Sequence, residues 1–196
     1  MGSRFVYQCL IRGFKLQLHM FRFVAFLRGI NVGGHIVVKE KLQEAFTSLG
    51  FQNVSTYKQS GNVIFETDSA DPKELKVKIE EKLSSILGYE VAVFVRTFSQ
   101  LKALICLSPF KSQSIDGTSF LITFLPFASS TFPLKLPLTI SKSTAQVISA
   151  AGMEVFSVTH GGGEGALPNP FLESKLKVKT TTRNLNIIGE IIKKYS

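Results

Sequence analysis

The order of apolar segments between residues 21 and 107 limits the fold more than any other feature of the sequence. Short runs rich in Phe, Val and Ile predict strands at 21–27, 54–58, 62–66 and 90–96. Apolar residues at helical spacing predict helices at 39–49, 71–87 and 98–107. Strand, helix, strand, strand, helix, strand is the order of the ferredoxin-like plait, in which both helices cover one face of an antiparallel sheet.

The second part of the chain repeats this order less clearly. Its patterns predict strands at 120–125, 145–150, 154–159 and 178–182, a weak helical turn at 138–144, and helices at 169–176 and 185–194. The polar, turn-rich segment around 108–119 indicates a linker. The predicted fold class is therefore α+β, with two tandem ferredoxin-like units, the second degenerate. We place the units at 20–110 and 119–196, with the linker at 111–118.

Residues 1–19 are expected to be a tag or a non-native leader, because Met20 looks like a natural start. Arg12 and Lys15 interrupt the apolar part of this segment, so it does not read as a signal peptide. No stretch of the sequence is long and apolar enough to predict a transmembrane helix. We therefore expect a cytoplasmic protein that has no membrane partner.

The titratable side chains predict neither a metal site nor a cofactor. No group of His, Cys, Asp or Glu has the spacing of metal ligands. Cys106 is the only cysteine after residue 19, and its apolar neighbours predict a buried thiol. The chain carries 23 Lys and Arg against 14 Asp and Glu, a net charge of +9. This excess permits an anionic partner, and the scattered charges equally permit a generally basic surface.

A glycine loop follows the first strand, in the stretch AFLRGINVGGH at residues 25–35. Its glycines have the spacing of an ATP-binding P-loop, but His35 and Ile36 stand where the lysine and the hydroxyl residue belong. ATP hydrolysis at this loop is therefore excluded. The loop either offers backbone N–H groups and Arg28 to an anion, or it is a turn whose glycines adopt positive φ.

Plait topology brings this loop beside the predicted hairpin turn at 59–62, because both lie at the same edge of the sheet. Two polar loops that converge indicate a binding site, although their Gln, Ser and Asn residues equally suit turns. Arg183, at the end of the last strand, either binds an anion or ties the second unit to the first. The candidate ligand-binding residues are Arg28, Gly29, Asn31, Gly33, Gly34, Gln59, Ser60, Asn62, Arg183 and Asn184.

Catalytic residues cannot be assigned from these patterns. His35 and His160 are candidate acid–base groups, but neither has a carboxylate at a telling spacing. The glycine-rich loop at 161–165 is expected to be either a lid or a disordered segment, and disorder is the preferred interpretation. Recognition of RNA through the sheet is disfavoured, because the third strand lacks the RNP1 pattern and the Phe residues of the first strand are expected to face the helices.

Three motifs together resemble the bacterial domain-of-unknown-function family 1697: FVAFLRGINVGGH at 23–35, TYKQSGNVIFET at 56–67 and TTTRNLN at 180–186. The resemblance runs from Met20 to the end of the chain. It implies a bacterial cytoplasmic protein of two ferredoxin-like units, and it implies no reaction. The sequence departs from the family at Leu185 and Ile187, where the family usually has Trp and Thr, and at 163–167, which lacks the family's usual Ser-Lys pair.

These observations predict a binding protein for a phosphate-bearing ligand, a nucleotide or a nucleic acid, held by the loop at 28–35 and the hairpin at 59–62. Two alternatives stay open. The chain is an enzyme acting on a small metabolite, with His35 as the acid–base group, or it is an interaction module whose groove between the units holds a protein.

Overall fold

Two antiparallel sheets and five helices form within the residues that the computed structural model describes, which are 20–30, 36–58, 61–107, 109–110, 117–128, 132–140, 143–160 and 167–196. The predicted leader at 1–19, the glycine-rich segments at 31–35 and 161–165, and most of the predicted linker lie outside them. The mixed α+β class is confirmed, and the division into units stays a prediction.

The first sheet has the strand order β2-β3-β1-β4. Its strands are β1 (Phe21–Arg28), β2 (Gln52–Thr56), β3 (Asn62–Thr67) and β4 (Ala92–Thr97). The helices of this half are α1 (Lys39–Thr47), α2 (Pro72–Leu87) and α3 (Phe98–Leu107). Apolar residues of α1 and α2 share one core with one face of the sheet, so these two helices cover that face together.

Local sequence signals determine where α2 begins and ends. The side chain of Asp71 accepts a hydrogen bond from the backbone N–H of Lys73 at 2.9 Å, and Pro72 occupies the first helical position. Gly88 ends the helix in a left-handed conformation, with φ of 77°.

Strand β1 is apolar along nearly its whole length because both of its faces are buried. Phe23, Ala25 and Leu27 pack against α1 and α2. Val24 and Phe26 point to the opposite face and join the core between the two sheets. The expectation that the Phe residues of this strand face the helices therefore holds for Phe23 and is wrong for Phe26.

The second sheet has the order β6-β7-β8-β5-β9. Its strands are β5 (Thr118–Phe124), β6 (Leu138–Thr139), β7 (Ala145–Ala151), β8 (Glu154–His160) and β9 (Thr181–Asn184). The helices of this half are α4 (Asn169–Leu176) and α5 (Leu185–Tyr195). Leu172 of α4 packs on one face of the sheet, together with residues such as Val147 and Val155.

The two sheets pack on each other through a shared aromatic and aliphatic core. The rings of Phe26 and Phe124 stack at its centre, with their centroids 4.4 Å apart. Leu101 of α3 and Ile188 of α5 are fully buried in the same core. The face of the first sheet that α1 and α2 leave uncovered is therefore closed by the second half of the chain.

Two sequence-based expectations in these regions are wrong. Leu138 does not begin a helical turn: it lies in β6, opposite Val147 of β7, and its extended backbone is held by that pairing. Cys106 is exposed rather than buried, because α3 buries Phe98, Leu101 and Leu104 and turns its opposite face outward.

Candidate functional site

The loop after β1 and the hairpin turn before β3 pack directly against each other. The backbone N–H of Leu27 donates to the carbonyl of Gly61 at 2.8 Å. Gly61 has φ of +67°, and a Cβ there would lie 2.8 Å from Cδ1 of Ile30 and 3.1 Å from Cβ of Leu27. The predicted convergence of the two segments is therefore present where the structure describes them.

Only part of the predicted ligand-binding set lies within the described residues. Arg28, Gly29, Asn62, Arg183 and Asn184 are described. The members of the set outside the described ranges are Asn31, Gly33, Gly34, Gln59 and Ser60. His35, the candidate acid–base group, also lies outside them.

Arg183 of β9 joins both segments to the second sheet. Its Nε donates to Oδ1 of Asn62 at 2.6 Å. Its Nη2 donates to the backbone carbonyls of Leu27 at 3.0 Å and Gly61 at 3.2 Å. All three of the family-like motifs thus meet at one guanidinium.

The remaining N–H groups of Arg183 bond to its own strand. Nη1 donates to Oγ1 of Thr181 and to the carbonyl of Thr182, each at 2.8 Å. A guanidinium has five N–H donors, and these contacts engage each of them. Burial lowers the pKa of Arg183 to about 10, and the nearby charge of Arg28 contributes to the shift. These contacts are those of a residue that ties the two halves together, whereas anion binding by Arg183 stays a prediction.

Arg28 and Asn184 have different surroundings from Arg183. Arg28 forms an ion pair with Glu173 of α4, with Nη2 2.9 Å from Oε2, and its side chain is 36% exposed. The other carboxylate oxygen of Glu173 accepts the backbone N–H of Thr180 at 2.7 Å. Asn184 caps α5, because its Oδ1 accepts the backbone N–H of Asn186 at 2.9 Å.

A cavity of about 580 Å³ lies between the start of α1 and the hairpin. Lys39, Glu40, Lys58 and Asn62 contribute polar groups to its wall, and Val37 and Leu42 contribute apolar surface. Asn62 lines this cavity and also accepts a hydrogen bond from Arg183. Arg183 itself is not among the described lining residues.

The hairpin is also held to α5 by residues that sequence patterns did not identify. Tyr57 and Lys58 both donate to Oε2 of Glu190, each at 2.7 Å. The hydrogen bond from Lys58, followed in size by the one from Tyr57, lowers the pKa of the Glu190 carboxyl. These partners are 133 and 132 positions apart in the chain, so local spacing carries no signal for them.

A second buried arginine, Arg96, also joins the two sheets. Arg96 of β4 is 3% exposed, and its Nε donates to Oε1 of Glu154 at 2.7 Å. Its Nη2 donates to the carbonyls of Leu125 at 2.9 Å and Met153 at 3.3 Å. Burial lowers the pKa of Arg96, although the charge of Glu154 opposes that shift.

The buried sheet face excludes one mode of RNA binding. RNA-recognition folds stack bases on aromatic side chains of an open sheet face. Here that face carries Val24, Phe26, Ile64 and Phe94, and all four are buried in the core between the sheets. Bases therefore cannot reach it without separating the two halves.

Neither a membrane-spanning helix nor a metal-binding cluster is found within the described residues. No helix there is long and apolar enough to cross a membrane. No group of three or more His, Cys, Asp or Glu residues in these segments is arranged to hold a metal ion.

Comparison with known proteins identifies a family and a related structure. The family model described as "Protein of unknown function (DUF1697)" matches residues 20–156, a range that contains the first two of the three motifs. A solved structure, the conserved bacterial protein SP0830 from Streptococcus pneumoniae, is similar with a TM-score of 0.60 and 23% sequence identity. That match covers 89% of this chain and 98% of SP0830, and at this identity it supports the α/β fold alone. A search of curated proteins finds no match.

Proposed function

The chain belongs to the DUF1697 family of proteins of unknown function, and we propose that it is a cytoplasmic binding protein for a phosphate-bearing ligand, a nucleotide or a nucleic acid. The observation that carries this proposal is the cavity of about 580 Å³ between α1 and the β2–β3 hairpin. Its volume falls in the range of small-molecule sites, which are mostly apolar with a few polar groups that fix the ligand.

The wall of the cavity combines two positive charges and the negative charge of Glu40 with apolar surface. Lys39 and Lys58 supply ammonium groups for a phosphate, and Val37 and Leu42 supply apolar surface for a sugar or base. Both lysines form exposed ion pairs, Lys39 with Glu40 at 3.6 Å and Lys58 with Glu190 at 2.7 Å. Because exposed pairs contribute only about 0–1 kcal/mol, a phosphate can replace either carboxylate at small cost.

The start of α1 adds favourable backbone groups. Val38 precedes the helix and provides no side-chain cap for the N–H groups of its first turn. Uncapped N–H groups and the helix dipole both favour an anion at this end. Arg28 lies at the start of the loop that connects β1 to α1. Its charge lies close enough to Arg183 to lower the pKa of Arg183, so two positive charges are near each other there.

We also propose how the strands of the two sheets are arranged into units. The first sheet has the order β2-β3-β1-β4, so its strands follow the order second, third, first, fourth. If β6 is left aside, the second sheet has the order β7-β8-β5-β9, which is the same order for the strands of the second half. This is the strand order of the ferredoxin-like plait, and we infer two tandem plaits, the second degenerate: among the described residues it has β6 and no helix between β5 and β7.

The test is a binding series measured by thermal shift and titration calorimetry, with ATP, AMP, pyrophosphate and a deoxythymidine decamer as probes. We expect at least one probe to bind, and Lys39→Glu to weaken that binding at least tenfold, because it places a carboxylate in the cavity wall. Lys41→Glu is the matched control, since this exposed lysine lies on the same helix outside the described lining of the cavity.

Arg28→Ala separates the role of the loop from that of the cavity. It should abolish or weaken binding while the melting temperature stays nearly unchanged, because its ion pair with Glu173 is partly exposed. The proposal is wrong if none of the four probes binds, or if Lys39→Glu and Lys41→Glu bind the ligand equally well.

A further inference from the structure

The contacts of Arg96 and Arg183 are reciprocal between the two halves, which we define as β1–β4 with α1–α3 and β5–β9 with α4–α5. Arg96 lies opposite Val24 in the register of the first sheet, and Arg183 lies opposite Ile122 in the second. Each stands in the last strand of its half, directly before the helix that follows that strand.

Each arginine makes the same set of contacts with the other half. The guanidinium of Arg96 lies 5.2 Å from the ring centroid of Phe124, and that of Arg183 lies 5.5 Å from the ring centroid of Phe26. Nε of Arg96 donates to Glu154, the first residue of β8, and Nε of Arg183 donates to Asn62, the first residue of β3. Nη2 of each arginine donates to the backbone carbonyl of the residue after the Phe, which is Leu125 for Arg96 and Leu27 for Arg183. These contacts place the two halves in residue-by-residue correspondence.

The correspondence extends to one glutamate in each half. Oε1 of Glu80 in α2 accepts the backbone N–H of Val93 at 2.9 Å. Oε1 of Glu173 in α4 accepts the backbone N–H of Thr180 at 2.7 Å. Val93 and Thr180 each stand three residues before the arginine of their strand. Glu80 and Glu173 are therefore equivalent residues.

The two glutamates differ in what their second oxygen holds. Oε2 of Glu173 holds the guanidinium of Arg28 at 2.9 Å. Arg28 directly follows Leu27, and the residue that directly follows the equivalent Leu125 is Pro126. Pro126 and Glu80 line a cavity of about 540 Å³, so an open space lies where the second half, which has Pro126 at this position, supplies no arginine to Glu80.

We propose that this cavity binds the guanidinium group of an arginine side chain from a partner protein. The guanidinium would lie beside Glu80 as that of Arg28 lies beside Glu173. Glu80 is the carboxylate that receives it. Oε2 of Glu80 already accepts from Lys76 at 2.5 Å, and a carboxylate oxygen accepts more than one hydrogen bond.

The lining of the cavity fits an arginine side chain. Glu81 and Glu90 add two further carboxylates, so the carboxylates outnumber the lysines among the described lining residues. Ala92 and Phe94 of β4 supply apolar surface against which the methylene stem of an arginine packs. Because the site lies at β4 and α2, it does not depend on the phosphate-binding proposal.

The first experiment measures binding of the peptide acetyl-Ala-Arg-Ala-amide to the full chain by NMR titration. We expect shifts of the backbone signals at 91–94, and at least tenfold weaker binding of the same peptide with citrulline, which is neutral, in place of arginine. Glu80→Gln should weaken binding by a similar factor, because its amide oxygen keeps the bond to Val93 but loses the charge. Glu74→Gln is the matched control, since it lies on the same helix outside the described lining.

Equal binding of the citrulline peptide, or unchanged binding to Glu80→Gln, would overturn the proposal. Arginine amide distinguishes the source of the guanidinium. If it binds as tightly as the peptide, the ligand is a small molecule and the assignment to a partner protein is wrong.

The second experiment supplies the arginine from the chain itself. Pro126→Arg should shift the backbone signals at 91–94 as the peptide does and abolish peptide binding, because the new guanidinium reaches Glu80 as Arg28 reaches Glu173. In a Glu80→Gln background the same substitution should produce no such shift. Shifts at 91–94 that do not depend on Glu80 would show that the two sites are not equivalent.

Discussion

Replacing Glu154 by Gln tests whether the buried arginine contacts need a charge or only an acceptor. Glu154 accepts the Nε hydrogen of Arg96 at 2.7 Å, and both side chains are buried. At the equivalent place the amide oxygen of Asn62 accepts from Arg183 at 2.6 Å. The substitution therefore gives Arg96 the kind of partner that Arg183 already has.

The expected cost follows from the difference between the two kinds of hydrogen bond. Glu154→Gln keeps an oxygen acceptor for a guanidinium that stays charged, so only the opposite charge of the pair is lost, which should lower the free energy of unfolding by about 1–2 kcal/mol. Glu154→Ala removes the acceptor and leaves a buried cation without it, which should cost about 3–5 kcal/mol.

The assay is urea unfolding followed by far-ultraviolet circular dichroism, because the chain contains no Trp to report by fluorescence. With a urea dependence of about 2 kcal/mol per molar, Glu154→Gln should lower the midpoint by about 0.5–1 M without a change in slope. Equal costs for Glu154→Gln and Glu154→Ala would refute the reasoning, because the acceptor alone would then contribute nothing.

Two further predictions concern the hairpin and the acid stability of the first sheet. Gly61→Ala should lower the free energy of unfolding by at least about 2 kcal/mol, because it adds strain at positive φ and a Cβ 3.1 Å from Cβ of Leu27. Gly50→Ala is the control: its Cβ would meet nothing within 4 Å, so it should lower the free energy of unfolding by only about 1 kcal/mol in the same urea assay. A hydrogen bond from Asn53 lowers the pKa of Glu66, so its stabilisation is complete above the unfolded-chain pKa of about 4.3 and is lost as the pH falls through the lower folded pKa. Glu66→Gln should therefore flatten the acid side of the melting temperature against pH, and an unchanged profile would contradict this assignment.

Helices were the elements best predicted from the sequence, because their signals are local. The helices expected at 98–107 and 169–176 have those bounds in the structure, and the one expected at 185–194 extends by a single residue. Apolar periodicity, caps and glycines act within a few positions of each other, so the sequence carries them directly.

Strand positions were predicted less well where pairing rather than pattern decides them. The strand expected at 178–182 is found at Thr181–Asn184, a polar segment held by pairing with β5. Within this pairing the hydroxyls of Thr123 and Thr182 lie 2.7 Å apart. The expected helical turn at 138–144 is instead the short edge strand β6. In both segments pairing with another strand overrides local preference; the partner strand is distant in the chain for β9 and is the next strand for β6.

The sequence by itself determined the order of elements in the first half, and with it the meeting of the β1 loop and the β2–β3 hairpin. Because β1 and β2 both run antiparallel to β3, these two segments lie at one edge of the sheet, so their proximity follows from the strand pairing. The tertiary structure alone decided what the arginines do. Arg183 reaches Asn62 across 121 positions of the chain, and Arg96 reaches Glu154 across 58. No local pattern connects such partners, because their contact exists only once the two sheets have packed together.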